Sequence, residues 1–181
     1  MRKINEIFYS LQGEGFHTGT PAVFVRFSGC NLKCSFCDTQ HEEGVWMSDE
    51  EILAEVGKYP AVTVILTGGE PSLWIDREFV DCLHWMGKYV CIETNGTHSL
   101  PDNIDWVTCS PKQGAKLCIS RMDEGKVVYE GPDIAVYESL PAGHFFLQPC
   151  SCSNTAETVA CVMQHPKWRL SLQTHKLIEI K

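Results

Sequence analysis

The chain has 181 residues, of which 44% are apolar, and a formal net charge of −8. That length suits one domain with a sizeable core, spanning residues 1–181, and the acidic balance argues against a nucleic-acid surface, which needs a basic stripe. Ten cysteines, with no leader peptide and no apolar run of membrane-spanning length, point to a reducing cytoplasm rather than a disulfide framework.

Taken in order, Arg2 and Lys3 are followed by Asn5, Glu6 and Gln12, which break any apolar stretch. The first predicted strand is 22–27, and the others are 62–66, 89–93, 104–108, 145–148 and 168–172, all rich in Val, Ile, Phe and Trp. Three helices fall between them. The segment 48–58 opens on a capping box of Ser48 and Glu51, with Ile52, Leu53 and Val56 on one face. In 76–88 the apolar face is Phe79, Val80, Leu83 and Met86, and 154–165 opens with Asn154 as its N-cap. Residues 97–103 are too few for a crossover helix, and 114–143 has no regular pattern. Alternating strands and helices predict parallel βαβ units. A closed eight-unit barrel needs at least ~200 residues, so the expectation is a partial, open parallel α/β barrel of about six strands and three helices.

Almost every predicted strand ends in polar residues, where ligands gather in parallel α/β folds. Cys30, Cys34 and Cys37 follow the first strand at C-x3-C-x2-C spacing, close enough for one loop to wrap one inorganic centre. Two centres compete. Tetrahedral zinc wants four closed ligands, and no second C-x2-C is present. A [4Fe–4S] cube held by three thiolates keeps one iron open for a ligand. Gly29 eases the turn before the first thiol, and Phe36 shields the centre from water. Gly68 and Gly69 in Thr67-Gly68-Gly69-Glu70-Pro71 allow close backbone approach to a ligand, although such turns are common. Ser110-Pro111-Lys112 reads equally as a capped turn or as part of a pocket. Cys82, Cys91, Cys109, Cys118 and Cys161 are expected to be mostly small buried hydrophobes. Cys150-Ser151-Cys152 reads as plain loop thiols or an added metal ligand.

The cysteine loop, with an aromatic before its last thiol, resembles the radical S-adenosylmethionine (SAM) superfamily. A narrower resemblance, to the 7-carboxy-7-deazaguanine synthase family, is carried in order by Leu11-Gln12-Gly13-Glu14-Gly15, Arg26, the cysteine loop through Thr39, residues 67–71, 93–96 and 110–112, Gln148-Pro149 and the closing run 168–176. It implies conversion of 6-carboxy-5,6,7,8-tetrahydropterin to 7-carboxy-7-deazaguanine with loss of ammonia, a step toward queuosine and other 7-deazapurines. The implied cofactors are a [4Fe–4S] cluster, SAM and Mg2+, with the chemistry carried by cluster and SAM.

Carried onto this chain, the resemblance makes Cys30, Cys34 and Cys37 cluster ligands and Thr39 a Mg2+ ligand. SAM contacts fall to Phe36, Cys37, Asp38, Gly69, Ser110, Pro111, Lys112, Gln148, Pro149, Cys150 and Ser151. Substrate contacts fall to Leu11, Gln12, Gly13, Arg26, Thr67 and the terminal Lys181. Glu14, Glu93 and His175 are further candidates. Arg26 offers a planar fork for a carboxylate, or a structural salt bridge. Gln12 offers donor and acceptor to a pterin edge. The chain departs from the pattern at Cys150-Ser151-Cys152 and at Lys181, where a proline is expected. The resemblance further implies a homodimer and a flavodoxin-type reductant, with no nucleic-acid or membrane partner. The competing readings are a glycyl-radical activase and a zinc-stabilised binding module.

Overall fold

A computed structural model of the chain describes residues 1–37, 39–131 and 133–181. Among them are nine strands: β1 (Arg2–Leu11), β2 (Pro21–Phe27), β3 (Val45–Met47), β4 (Thr63–Gly68), β5 (Tyr89–Thr94), β6 (Trp106–Cys109), β7 (Met122–Tyr129), β8 (Ala142–Pro149) and β9 (Arg169–Leu170). The helices are α1 (Asp49–Val56), α2 (Arg77–Trp85), α3 (Thr155–Gln164) and α4 (Thr174–Leu177). One sheet runs β3-β1-β2-β4-β5-β6-β7-β8-β9. From β2 to β9 every pairing is parallel, while β1 and β3 add antiparallel at one edge. The two edge strands do not pair, so the expected open, mostly parallel α/β sheet is what forms.

Residue alternation splits each strand between two faces. The outer face is one apolar core in which Val23, Val25 and Phe27 of β2, Val64 and Leu66 of β4, and Val90 and Ile92 of β5 meet Ile52 and Val56 of α1 and Phe79, Val80 and Leu83 of α2. Each such side chain, fully buried, contributes about 1.5–3 kcal/mol. A second outer cluster joins Val127 of β7, and Phe145 and Leu147 of β8, to Cys161 of α3 and to Trp168. The inner face is layered. Phe8, Ala22, Phe24, Ile65 and Cys91 form an apolar layer with Trp106 packed against it. One pleat further toward the carboxyl ends of the parallel strands stand Arg26 and Thr67, in register with each other, then Glu93, Thr108 and Glu124. The sequence of the inner face thus changes from grease to charge along the strands.

Helix caps follow their sequence signals in two of three cases. Ser48 and Glu51 make the reciprocal capping box of α1, and Asp76 accepts from Phe79 N at the start of α2. Asn154 occupies the N-cap position of α3 but makes no cap bond. Its side chain instead accepts from Cys150 N at 2.8 Å and donates to Tyr129 O at 2.8 Å, tying the 150–152 loop to β7. Met86 is 38% exposed, outside the apolar face expected of α2.

The expectation of six strands falls short by three. β1 was obscured by Asn5 and Glu6 and by a register shift between Ile4 and Glu6 that breaks its period. β3 is three residues at the sheet edge. β7 lies inside the stretch that showed no pattern; its Glu124 and Lys126 occupy inward positions where an ordinary core strand carries apolar residues. The predicted strand at 168–172 is realised only as Arg169–Leu170.

Candidate active site

The carboxyl ends of the parallel strands open into a cavity of about 1230 Å³. Residues 12–20 form a loop closed at its neck by Gln12 N donating to Thr20 O (2.8 Å) and Gly19 N donating to Gln12 O (2.7 Å). This loop crosses the inner face of the sheet. Phe16 stacks on Trp106 with centroids 4.7 Å apart and meets His144 at 4.5 Å. Phe16 N donates to Glu124 at 3.1 Å and Gly15 N to Ser171 at 2.9 Å. The C-terminal segment then docks on the loop. Thr174 N and its hydroxyl both donate to Gly13 O at 2.9 Å, and a Cβ on Gly13 would lie 2.1 Å from His175 Nδ1. Glycine is required there because no side chain fits between the two segments.

The cysteine loop follows β2. Cys30 and Cys34 are half-buried and Cys37 is exposed. Gly29 has φ +87°. Its carbonyl accepts from Glu70 N at 2.9 Å, and Gly69 N donates to Phe27 O at 3.1 Å, so the Gly-Gly loop lies directly against the start of the cysteine loop. A Cβ on Gly69 would sit 2.1 Å from Gly29 O and 3.1 Å from Cys30 Cβ. Glu70 is fully buried and locks three segments: it accepts from Ser72 N at 3.0 Å, Thr94 Oγ1 at 2.7 Å and Asn95 N at 2.7 Å. Asn95 in turn donates to Asn31 at 3.1 Å, and its amide lies 4.0 Å from Cys30 Sγ. Lys112 bonds Ser110 Oγ at 2.7 Å and lies 5.3 Å over the Phe36 ring. Burial pushes the Lys112 ammonium down, and Lys126 pushes the same way against the raising influence of Cys34.

The expected site residues largely come together. Cys30, Cys34, Cys37, Phe36 and Thr39 line the cavity, as do Gly69, Ser110, Lys112, Gln148, Pro149, Cys150 and Ser151, and so do Leu11, Gln12, Gly13, Arg26, Thr67 and Lys181. Pro111 is buried after β6 and does not line it. Asp38 lies outside the described residues. Among the described residues no three His, Cys, Asp or Glu side chains converge on a single metal ion; the three thiols stand around the cavity instead. Cys91, Cys109 and Cys161 are buried as expected, but Cys82 is half-buried and Cys118 exposed. Burial pushes the Cys109 thiol up to about 12.

Several of these side chains hold partners that the sequence did not disclose. Arg26 Nε donates to Glu6 Oε1 at 2.9 Å, the salt-bridge reading of that residue, yet its Nη1 and Nη2 atoms have no hydrogen-bond partner among the described residues. Lys181 Nζ pairs with the other oxygen of Glu6 and lies 5.0 Å over the Phe8 ring. Thr67 Oγ1 donates to Glu93 Oε2 at 2.8 Å, and Gln12 Nε2 to Glu93 Oε1 at 3.2 Å. Sequence reasoning missed Glu6, Glu124 and Lys126 altogether. Lys126 pairs with Glu14 and, at 3.0 Å, with Glu93 Oε1. A charged pair two residues apart in a run that ends in Val127-Val128 was the one available signal, and without a strand to place it on it carried no direction.

A profile of the Radical SAM superfamily matches residues 24–108. The 7-carboxy-7-deazaguanine synthase of Bacteroides thetaiotaomicron is 81% identical over 181 residues, all of both chains. The chain belongs to the 7-carboxy-7-deazaguanine synthase family of radical SAM enzymes. The family member from Nitratidesulfovibrio vulgaris is 41% identical over 98% of both chains. The crystal structure of QueE from Escherichia coli superposes with TM-score 0.80 at 31% identity, covering 94% of this chain and 93% of that one. Radical SAM enzymes use a [4Fe–4S] cluster and SAM. The donor set here fits them: three thiols on one loop face a cavity, beside a glycine turn whose missing Cβ leaves the approach open. Among the described residues no helix is long and apolar enough to cross a membrane.

Proposed function

We propose that this chain catalyses the radical ring contraction of 6-carboxy-5,6,7,8-tetrahydropterin to 7-carboxy-7-deazaguanine with loss of ammonia, as a single domain in the cytoplasm. The observation that carries the reading is full-length identity of 81% to a synthase of that name. It favours this reaction over glycyl-radical activation or a zinc-held module. Cys30, Cys34 and Cys37 would hold the cluster, which would supply the electron for cleavage of SAM and so the radical chemistry of the reaction.

The protein's own residues bind, aim and exclude water. The uncommitted Nη pair of Arg26 is shaped for two charge-assisted bonds to the substrate carboxylate, and Glu6, bonded to Nε, fixes the plane of the fork. Gln12 and the main chain of Leu11 and Gly13 reach the pterin edge, with Thr67 beside them. Gly69, Ser110, Lys112 and Gln148 to Ser151 form the SAM side of the cavity, with Phe36; Asp38 stays a SAM contact by resemblance alone, and Pro111, buried behind Ser110, would act only by shaping that turn. The Thr39 hydroxyl serves Mg2+, which prefers oxygen ligands and keeps several waters. The 12–20 loop and the C-terminal segment cover the inner face from solvent. A homodimer and a flavodoxin-type electron donor complete the proposal.

Anaerobic reconstitution with iron and sulfide, followed by mass analysis of the product from the carboxypterin, tests it. The expected result is a product lighter than the carboxypterin by the mass of one ammonia and nothing else, that is, the 7-deazaguanine acid. Zinc at one equivalent with no iron or sulfide would set the reading aside.

A further inference from the structure

Lys126 is 6% exposed and stands at the floor of the cavity, on the inner side of β7. Three carboxylates face it from three elements: Glu14 from the 12–20 loop, Glu93 from β5 and Glu124 from its own strand. Lys112, after β6, is the other cation within its field. Glu14 accepts from Lys126 through Oε2 and from Gln173 Nε2 at 2.9 Å through Oε1. Glu93 accepts from Lys126 and Gln12 through Oε1 and from Thr67 through Oε2. A carboxylate has about four lone-pair sites. Glu14 therefore keeps roughly two open and Glu93 roughly one, and both residues line the cavity.

Three carboxylates gathered in a partly desolvated place do not all stay ionised unaided, because each like charge raises the proton affinity of the others. Lys126 removes that conflict. Burial alone would push the Glu93 carboxyl up, but the Lys126 ammonium, with Thr67 and Gln12, holds it well below its ordinary range. Burial would likewise lower the Lys126 ammonium, yet Glu14, Glu93 and Glu124 keep it charged. Glu124 is left as the one carboxyl that burial pushes up, and its Oε1 has no partner among the described residues.

We propose that Lys126 is a positioning residue for substrate recognition: its ion pairs hold Glu14 and Glu93 side by side at the cavity floor, where their open lone pairs accept from N–H groups of the bound pterin. This rests on the carboxypterin reading above. A salt bridge serving only stability would leave substrate affinity independent of pH. A residue that holds the Glu93 carboxyl down makes the pH profile flat, and its loss makes affinity depend on protonation of Glu93.

The test measures KM and kcat for the carboxypterin from about pH 6 to 8.5 in cluster-loaded wild type, Lys126→Met, Lys126→Arg and the double variant Lys126→Met/Glu14→Gln. Each value is expressed as a ratio to wild type at the same pH, so titration of the pterin itself cancels. Lys126→Met is expected to raise KM about tenfold per unit by which pH lies below the new carboxylate pKa, with the ratio falling as pH rises and kcat changed much less. Lys126→Arg restores the flat ratio. The double variant, which removes one cation and one anion together, loses most of the pH slope while its KM stays raised for want of the Glu14 carboxylate, and it covers the case in which Lys126→Met alone fails to fold. In Lys126→Met, a KM ratio near one, or a raised ratio equal at every pH, overturns the inference while leaving the reaction in place. A steep ratio retained in the double variant also overturns it. A wild-type protein that neither binds nor converts the carboxypterin overturns the reaction reading itself.

Discussion

Replacing Glu70 by alanine is expected to loosen the cysteine loop without touching a cysteine. Glu70 is fully buried, and its two oxygens accept from Thr94 Oγ1, Asn95 N and Ser72 N at 2.7, 2.7 and 3.0 Å. Ser72 is half-exposed and can turn to water, whereas Thr94 and Asn95 are buried. Stranding a buried donor by removing its partner costs about 1–3 kcal/mol. Two stranded donors therefore predict a loss of about 2–6 kcal/mol. Glu70→Gln keeps one acceptor oxygen and is expected to lose about half as much. Urea unfolding of the two variants measures this. Because Asn95 also bonds Asn31 beside Cys30, iron retention after desalting should fall in step with stability. An alanine variant within about 1 kcal/mol of wild type, with its iron retained, would refute the reasoning.

Gly69→Ala puts a methyl 2.1 Å from Gly29 O; a stability cost of about 1–3 kcal/mol and at least tenfold weaker SAM binding by calorimetry are expected, and unchanged SAM affinity would count against Gly69 as a SAM contact. Arg2 is 6% exposed, bonds Asp49 at 2.8 Å and Asp76 at 3.1 Å, and lies 4.4 Å over the Phe79 ring. Its loss to alanine should lower the unfolding free energy from urea titration by about 2–3 kcal/mol, less than a fully buried pair because both aspartates are partly solvated. For Glu93, Glu6 and Asp76, burial pushes upward but Lys126, Lys181 with Arg26, and Phe79 N with Arg2 outweigh it, so all three carboxyls lie below their ordinary values. A depressed carboxyl stabilises the fold above its unfolded pKa, about 4.3 for Glu and 3.9 for Asp. The share of unfolding free energy that these three groups supply should be flat from pH 7 to about 5 and decline below that, read as the difference between wild type and the Glu93→Gln, Glu6→Gln and Asp76→Asn variants in urea titrations at successive pH values.

The parts legible in the sequence were those that obey one local rule at a time. Ser48 and Glu51 marked α1 because a capping box is a local bond, and residues 22–27 marked β2 because a short run rich in Val and Phe suits a strand buried on both faces. The three thiols were legible because ligation by one loop demands short spacing. β7 was not, and for a functional reason: Glu124 and Lys126 are inward residues of a strand whose inner side is a charged floor, so the apolar period vanishes where the site begins. Asn154 was placed at the right helix end but with the wrong partner, since its bonds go to Tyr129 and Cys150 rather than to its own helix. Arg26 stands at a strand end that the sequence marked and lines the cavity, whereas its bond to Glu6 required knowing that β1 pairs with β2 past a register shift. The docking of the C-terminal segment on Gly13 is a contact between chain ends that no local pattern records.

The account depends most on the cluster loop feeding one cavity that contracts a pterin. Protein reconstituted under argon, given SAM, a low-potential reductant, Mg2+ and 6-carboxytetrahydropterin, should release 7-carboxy-7-deazaguanine and ammonia in equal amounts, and the Cys34→Ala variant should release neither. SAM cleavage with the carboxypterin recovered unchanged, or product from the Cys34→Ala variant, would contradict it.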